Sequence, residues 1–195
     1  MYEIHLTTAP LAASQWPAFD RYAASIGATP MAIELARGAH PLQPMLTLCR
    51  DGGVDEVIRF AQALAAQAAQ SGFAVVRCKI EQDAGADAIA APGGPHHYVE
   101  WHGRIVVPEP LRAQLAALCA RFGGHLSNNA IRGGDIRYVT VRETGEHIAL
   151  RRRVSALVDA IGSQGWMIGK HRWERVVFDS NLALDHGWLE HHDDH

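Results

Sequence analysis

The sequence has few cysteines, and their spacing builds no recognisable site. The three cysteines, Cys49, Cys78 and Cys119, are an odd number, and no two of them form a Cys-x-x-Cys pair. A disulfide framework and a cysteine-based zinc site are therefore not expected. We interpret all three as small core residues of a cytoplasmic protein.

Long hydrophobic runs, a large net charge and phosphate-binding loops are also lacking. The apolar stretch 57–69 is interrupted by Arg59, Gln62 and Gln67, which predicts a helix and not a membrane span. The first residues include neither a basic nor an apolar segment, so no signal peptide is expected. The formal net charge of −3 argues against nucleic acid or a membrane as a partner. The glycine pairs match neither nucleotide-binding loop motif.

Hydrophobic periodicity predicts the order β-α-β-β-α-β twice along the 195 residues. The first set has strands at 2–8, 29–36, 43–50 and 73–81, with helices at 17–26 and 55–71. The second set has strands at 98–107, 124–131, 136–142 and 166–178, with helices at 109–122 and 147–163. Between them, residues 83–96 are rich in Ala, Gly and Pro, which is typical of a linker.

Short motifs recur between the two sets. Glu3-x-His5 in the first predicted strand returns as Glu100-x-His102, and the fourth strands share a pattern of charges. The matching charged residues are Arg77, Lys79 and Glu81 with Lys170, Arg172 and Glu174. We therefore predict an α+β fold, a tandem duplication of a ferredoxin-like βαββαβ unit with antiparallel sheets and helices on one face. The predicted units are 1–82 and 97–182, followed by a C-terminal tail at 183–195.

One face of each predicted sheet is polar. In the first unit it carries Glu3, His5, Thr7, Glu34, Arg77, Lys79 and Glu81. In the second it carries Glu100, His102, Arg104, Lys170, Arg172 and Glu174, and Arg137 is a further candidate whose strand phase is ambiguous. We expect the two faces to turn towards each other and to enclose a cleft, where clustered titratable groups are typical of functional sites.

Three chemistries fit such a cleft. In the first, His5 and His102 transfer protons, Glu3 and Glu100 orient them, and the remaining polar residues bind the phosphate or carboxylate of an anionic substrate. In the second, Glu3, His5, Glu100 and His102 bind a divalent metal such as Zn, Fe or Mn. In the third, the charges are only solvated, or they contact a protein partner. The sequence favours an enzyme or small-molecule binder, and leaves cofactor and oligomeric state open.

Two local patterns suggest narrower functions. His5-Leu6-Thr7-Thr8 matches the H-x-T-x motif of two-histidine phosphoesterases, so a hydrolase of that kind is one hypothesis. The second half departs from it, because Arg104 stands where Thr or Ser is needed. Residues 125–129, HLSNN, form either a binding loop or a turn.

Six segments carry a family resemblance: 34–38, 43–45, 79–81, 98–102, 125–130 and 179–189. On these segments the chain resembles a family of uncharacterised bacterial proteins, with related segments in plant proteins, some of which carry ankyrin repeats. That family has no established activity. The resemblance implies that residues 179–189 belong to the folded protein, with Asp179, Asn181 and Asp185 as further site candidates. A capped terminal turn is the alternative.

Overall fold

The computed structural model describes residues 1–85, 98–144 and 147–187. Its strands are β1 (Tyr2–Thr8), β2 (Thr29–Leu35), β3 (Leu42–Arg50), β4 (Val75–Asp83), β5 (Tyr98–Val106), β6 (Gly124–Asn129), β7 (Ile136–Glu143) and β8 (Ile168–Asp179). Its helices are α1 (Trp16–Ser25), α2 (Val54–Gln70), α3 (Arg112–Ala120) and α4 (His147–Ser163). Short 3-10 helices span Ala13–Gln15, Glu109–Leu111 and Leu182–Asp185.

Helix α2 shows why these segments adopt their structure. Asp55 and Glu56 lie in its first turn, where negative charge stabilises the helix dipole. After the helix, Gly72 has a φ of 90°, a left-handed conformation that ends helices and that glycine adopts at little cost. The apolar spacing between these two signals buries Val57 and Leu64.

The eight strands form one closed antiparallel barrel. Their order around it is β1-β3-β2-β6-β7-β5-β8-β4, and β4 pairs with β1 to complete the circle. The predicted tandem duplication of ferredoxin-like units with open sheets is therefore wrong. Strand β2 pairs with β6 and β4 pairs with β8, so the strands that would have been sheet edges are joined. This pairing satisfies the backbone donors and acceptors that free edges would leave unpaired.

The hydrophobic core lies outside the barrel wall, under the helices. Ile4 and Leu6 of β1 pack with Phe19 of α1 and Val57 of α2. A second cluster places Trp101 of β5 with residues of α3 and α4. Because strand side chains alternate in direction, burying the apolar residues outward leaves the intervening polar residues facing the barrel interior.

The end of β8 leads into the C-terminal 3-10 helix. Leu184 and Asp185 of this helix are buried, and the backbone N–H of Ala39 donates to the carbonyl oxygen of His186. Within the predicted tail, residues 183–187 therefore belong to the folded structure, while residues 188–195 lie outside the described residues. The predicted linker lies outside them from residue 86 onward. No helix in the described ranges is long and apolar enough to cross a membrane.

Candidate functional site

The barrel encloses a cavity of about 470 Å³, a size suited to a small-molecule ligand. Of the thirteen residues assigned to the two predicted polar faces, all except Glu34 line it: Glu3, His5, Thr7, Arg77, Lys79, Glu81, Glu100, His102, Arg104, Lys170, Arg172 and Glu174. The two predicted polar faces therefore meet in one interior.

Glu34 was assigned to the wrong face of β2. Its neighbours Ile33 and Leu35 line the cavity, whereas the Glu34 carboxylate accepts a hydrogen bond of 3.0 Å from the side-chain amide of Asn128. Arg137 also points away from the cavity and donates to Glu109. The alternation in β2 was therefore read in the opposite phase, and the phase of β7, which the sequence left ambiguous, directs Arg137 outward.

The cavity has one apolar wall and one charged wall. Met31, Ile33 and Leu35 of β2 and Met45 of β3 form the apolar wall. The charged wall comes from β1, β4, β5 and β8, which are consecutive around the barrel. An interior divided in this way suits a ligand with one polar part and one apolar part.

Eight side chains of the charged wall form a closed ring in which acidic and basic groups alternate. In the first half, His5 Nε2 lies 2.8 Å from Glu81, and Lys79 Nζ lies 2.5 Å from Glu81 and 2.6 Å from Glu100. Lys79 thus joins β4 to β5 over the strand between them, β8.

The second half has matching contacts. His102 Nε2 lies 2.9 Å from Glu174 and 3.2 Å from Glu100, and Arg172 lies 2.6 Å from Glu174. Arg172 then contacts Glu3 at 2.9 Å, and Glu3 closes the ring at 3.9 Å from His5. Charges paired on both sides in this way are compensated within the protein.

Threonines orient both histidines. His5 Nδ1 lies 3.0 Å from Thr47 Oγ1, and His102 Nδ1 lies 3.0 Å from Thr140 Oγ1. Both nitrogens of each imidazole are therefore engaged by protein side chains. Sequence reasoning missed both threonines, since a single hydroxyl in a strand carries no motif.

The ring shifts the acid–base properties of its members. Burial disfavours the charged form of His102, but Glu174 and Glu100 outweigh burial and raise the pKa of His102 to about 10. Burial likewise opposes charge on Glu100, yet Lys79 and Arg142 hold the pKa of Glu100 well below its usual range. His102 is thus an imidazolium at neutral pH and donates both N–H groups. Its predicted role in proton transfer stays a prediction, and in this state it holds a proton and does not accept one.

One end of the cavity is closed by a buried network. Asp185, from the C-terminal 3-10 helix, pairs with Arg77 at 2.9 Å and with Arg142 at 2.6 Å. Arg77 also donates to Asp179, which accepts a hydrogen bond of 2.6 Å from Tyr98. Asp185 is only 2% exposed, so this end is sealed.

The other end carries donors that have no acceptor among the described residues. Arg104 and Lys170 are direct cross-strand neighbours, and Tyr138 and Ser127 continue the same line across β7 and β6. All four line the cavity. Within the described residues, none of these four side chains makes a hydrogen bond or ion pair, in contrast to the ring. This end is more exposed than the other: Lys170 is an exposed residue, and the side chain of Arg172, two residues further along β8, is 52% exposed.

Four ring members have the composition of a metal site. Ligand atoms of Glu81, Glu100, His102 and Glu174 lie within 4.8 Å of one another. The predicted ligand set was different, with Glu3 and His5 in place of Glu81 and Glu174. A divalent cation there would have to displace the Lys79 ammonium and the proton of His102, so we base no function on a metal here.

Comparison with known proteins adds little. No protein-family profile and no curated protein matches the chain. Among solved structures, the small subunit of acetolactate synthase from Thermotoga maritima is 10% identical, over 91% of this chain and 97% of that chain, with a TM-score of 0.31. An anthrone oxidase-like protein is 11% identical, over 91% of each chain, with a TM-score of 0.32. At these TM-scores the matches support no argument, and the function has to be inferred from the barrel's own geometry.

Proposed function

We propose that the protein binds a small amphipathic anion inside the barrel, with the anionic group on Arg104 and Lys170. The observation that carries this proposal is the contrast between two sets of cations lining one cavity. Lys79 and Arg172 are each held between two carboxylates, whereas Arg104 and Lys170 face each other with no acidic partner among the described residues.

Like charges placed directly opposite each other on neighbouring strands destabilise a sheet. An anion between Arg104 and Lys170 would turn that repulsion into two charge-assisted hydrogen bonds. The hydroxyls of Tyr138 and Ser127, next along the same line, can donate to the same group. The apolar wall opposite gives the rest of the ligand a surface to contact.

The same geometry weakens the alternative of a protein-interaction module. That hypothesis placed the charged sheet face against a partner protein. In the barrel this face lines the interior cavity, where a small ligand fits and a protein surface does not.

Whether the bound anion is also converted depends on the ring. If the protein is an enzyme, His102 and His5 are the nearest candidates for proton transfer, and each would have to exchange a protein partner for the ligand. The predicted hydrolase activity stays a prediction.

Calorimetric titration of the full chain with decanoate and with inorganic phosphate tests the binding. We expect Arg104→Ala/Lys170→Ala to weaken decanoate binding at least tenfold, because each lost charge-assisted hydrogen bond contributes about 1.5–3 kcal/mol. The matched control is Arg21→Ala/Arg132→Ala, which removes the same charge from exposed positions that do not line the cavity. The proposal would be ruled out if the unmodified chain, the double variant and the control bound decanoate with equal affinity, or if the unmodified chain did not bind it.

A further inference from the structure

The sealed end of the cavity holds a polar group that the protein leaves unsatisfied. Thr7 is 1% exposed and lines the cavity, yet within the described part of the chain its hydroxyl has no hydrogen-bond partner. Buried hydroxyls in folded proteins are hydrogen-bonded with few exceptions, so each exception calls for an explanation.

The neighbours of Thr7 cannot satisfy it. On one side it faces Arg77, whose guanidinium is already engaged by Asp179, Asp185 and Tyr98. On the other side it faces Met45, which in turn faces Met31. The Thr7 hydroxyl thus lies between a cation that is bound to three other residues and the apolar wall.

Thr7 and the unpaired cations lie at opposite ends of the cavity. Glu100 contacts Arg142, which belongs to the sealed network, and Arg104 lies four residues further along β5. At about 3.3 Å per residue, roughly 13 Å of strand separates the two ends. The apolar wall of Met31, Ile33, Leu35 and Met45 spans the distance between them.

We infer that the ligand of the proposed site is an elongated amphipathic anion with a hydrogen-bond acceptor at its far end. Its anionic group binds Arg104 and Lys170, and its apolar middle contacts the apolar wall. An acceptor such as a keto or ester carbonyl accepts a hydrogen bond from the Thr7 hydroxyl. The two methionines suit this middle section, because flexible thioether side chains adapt to chains of different shape. This inference rests on the proposed anion site and adds the ligand's length and its second polar group.

Titration of the full chain with hexanoate, decanoate and 9-oxodecanoate tests it. We expect decanoate to bind at least tenfold more tightly than hexanoate, since the longer chain buries more apolar surface. We expect 9-oxodecanoate to bind roughly 3- to 10-fold more tightly than decanoate, the usual contribution of one hydrogen bond.

Variants of Thr7 isolate the second polar contact. Thr7→Val should abolish the preference for 9-oxodecanoate over decanoate, whereas Thr7→Ser should retain it. Thr29→Val, an exposed position on β2, is the matched control and should behave like the unmodified chain. Circular dichroism and thermal unfolding establish that each variant is folded.

The outcomes separate this inference from the proposed function. A Thr7→Val variant that keeps the preference, or an unmodified chain without one, would overturn the inference. The anion site would still stand if Arg104→Ala/Lys170→Ala lost decanoate binding. If no carboxylate bound to the unmodified chain, or if that double variant bound decanoate normally, the proposed function itself would fail.

Discussion

Lys79 is the residue that compensates the buried carboxylates of the ring. Its ammonium lies 2.5 Å from Glu81 and 2.6 Å from Glu100, both of which are buried. We predict that Lys79→Met lowers the free energy of unfolding by about 1.5–3 kcal/mol, the usual contribution of a hydrogen bond to a charged group. Neither carboxylate is left alone, because Glu81 keeps His5 and Glu100 keeps Arg142. Chemical denaturation measures this loss.

Arg104→Met is the matched control for that substitution. It removes another cavity cation, but one without an acidic partner among the described residues, and it relieves repulsion with Lys170. Its effect on the free energy of unfolding should stay within about 0.5 kcal/mol. If Lys79→Met and Arg104→Met lowered the free energy of unfolding by similar amounts, the ring would not be what stabilises the interior.

Gly103 is a second residue whose identity is dictated by contact. A Cβ atom there would lie 2.4 Å from the Trp101 ring, which is itself almost fully buried. We predict that Gly103→Ala lowers the free energy of unfolding by about 1–3 kcal/mol through overpacking. Gly162→Ala in α4, where nothing lies within 4 Å, should instead be stabilising by up to about 1 kcal/mol. Thermal unfolding compares the two, and equal shifts would contradict the packing argument.

At the residue scale, the alternation of polar and apolar residues predicted which side chains line the cavity in those strands that have one clearly apolar face. In β1 the residues between Glu3, His5 and Thr7 are apolar, so the polar face is unambiguous. In β7, Arg137 and Tyr138 are both polar and large, and the phase could not be decided from the pattern. The structure shows that Tyr138, Thr140 and Arg142 face inward, and these residues were missed.

At the element scale, the C-terminal 3-10 helix seals the barrel through Asp185. Its carboxylate is shared between Arg77 and Arg142, each of which keeps one other acidic partner. We predict that Asp185→Asn lowers the free energy of unfolding by about 1–3 kcal/mol, because it weakens two charged hydrogen bonds without leaving either arginine alone.

The same substitution should loosen the segment locally. Limited proteolysis should cleave Asp185→Asn near residues 180–187 faster than the unmodified chain, and Asp20→Asn, at an exposed position of α1, should change nothing. Unchanged proteolysis would mean that Asp185 does not hold this segment in place.

Strand β2 shows that the pattern of a single strand does not predict which of its faces the barrel encloses. Met31, Ile33 and Leu35 are apolar, and an apolar strand face usually packs against helices. Here they face the cavity. An apolar strand face can be enclosed by a barrel interior as well as by a layer of helices. The pattern identifies the two faces of the strand but not which of them is enclosed.

At the scale of the whole molecule, stability should pass through a maximum near pH 6.5. The pKa of His102 rises to about 10 on folding, so its contribution is complete below the unfolded value of about 6.5 and is lost as pH rises towards 10. Burial and Arg37 lower the pKa of His125 to about 4, so its contribution is complete above about 6.5 and is lost as pH falls towards 4.

The alkaline limb is the cleaner test. Between about pH 7 and 8.5 the free energy of unfolding should fall by about 1.4 kcal/mol per pH unit, the slope for one proton. In His102→Gln the slope over this range should disappear. A flat profile in the unmodified chain would contradict the charged state of His102. Above about pH 8.5 the cysteines add to the decline, because burial raises the pKa of Cys78 and of Cys119 to about 12.

Closure of the barrel is the whole-molecule feature that the sequence did not predict. Periodicity located the strands within a few residues, because alternation is a local property. The pairing of β2 with β6 and of β4 with β8 joins segments that are far apart in the chain, and nothing in the pattern of either strand specifies its neighbour. The charged cluster could be predicted from the inward residues, but the closed ring depends on the pairing of β4 with β8, which brings its two halves together.

The proposed anion site in the barrel interior is tested most directly by a crystal structure of the full chain grown with decanoate. We predict electron density for one decanoate inside the barrel, with its carboxylate within hydrogen-bond distance of Arg104 and Lys170 and its chain along Met31, Ile33 and Met45. A decanoate bound only outside the barrel, or inside it with the carboxylate away from both cations, would contradict the proposed function.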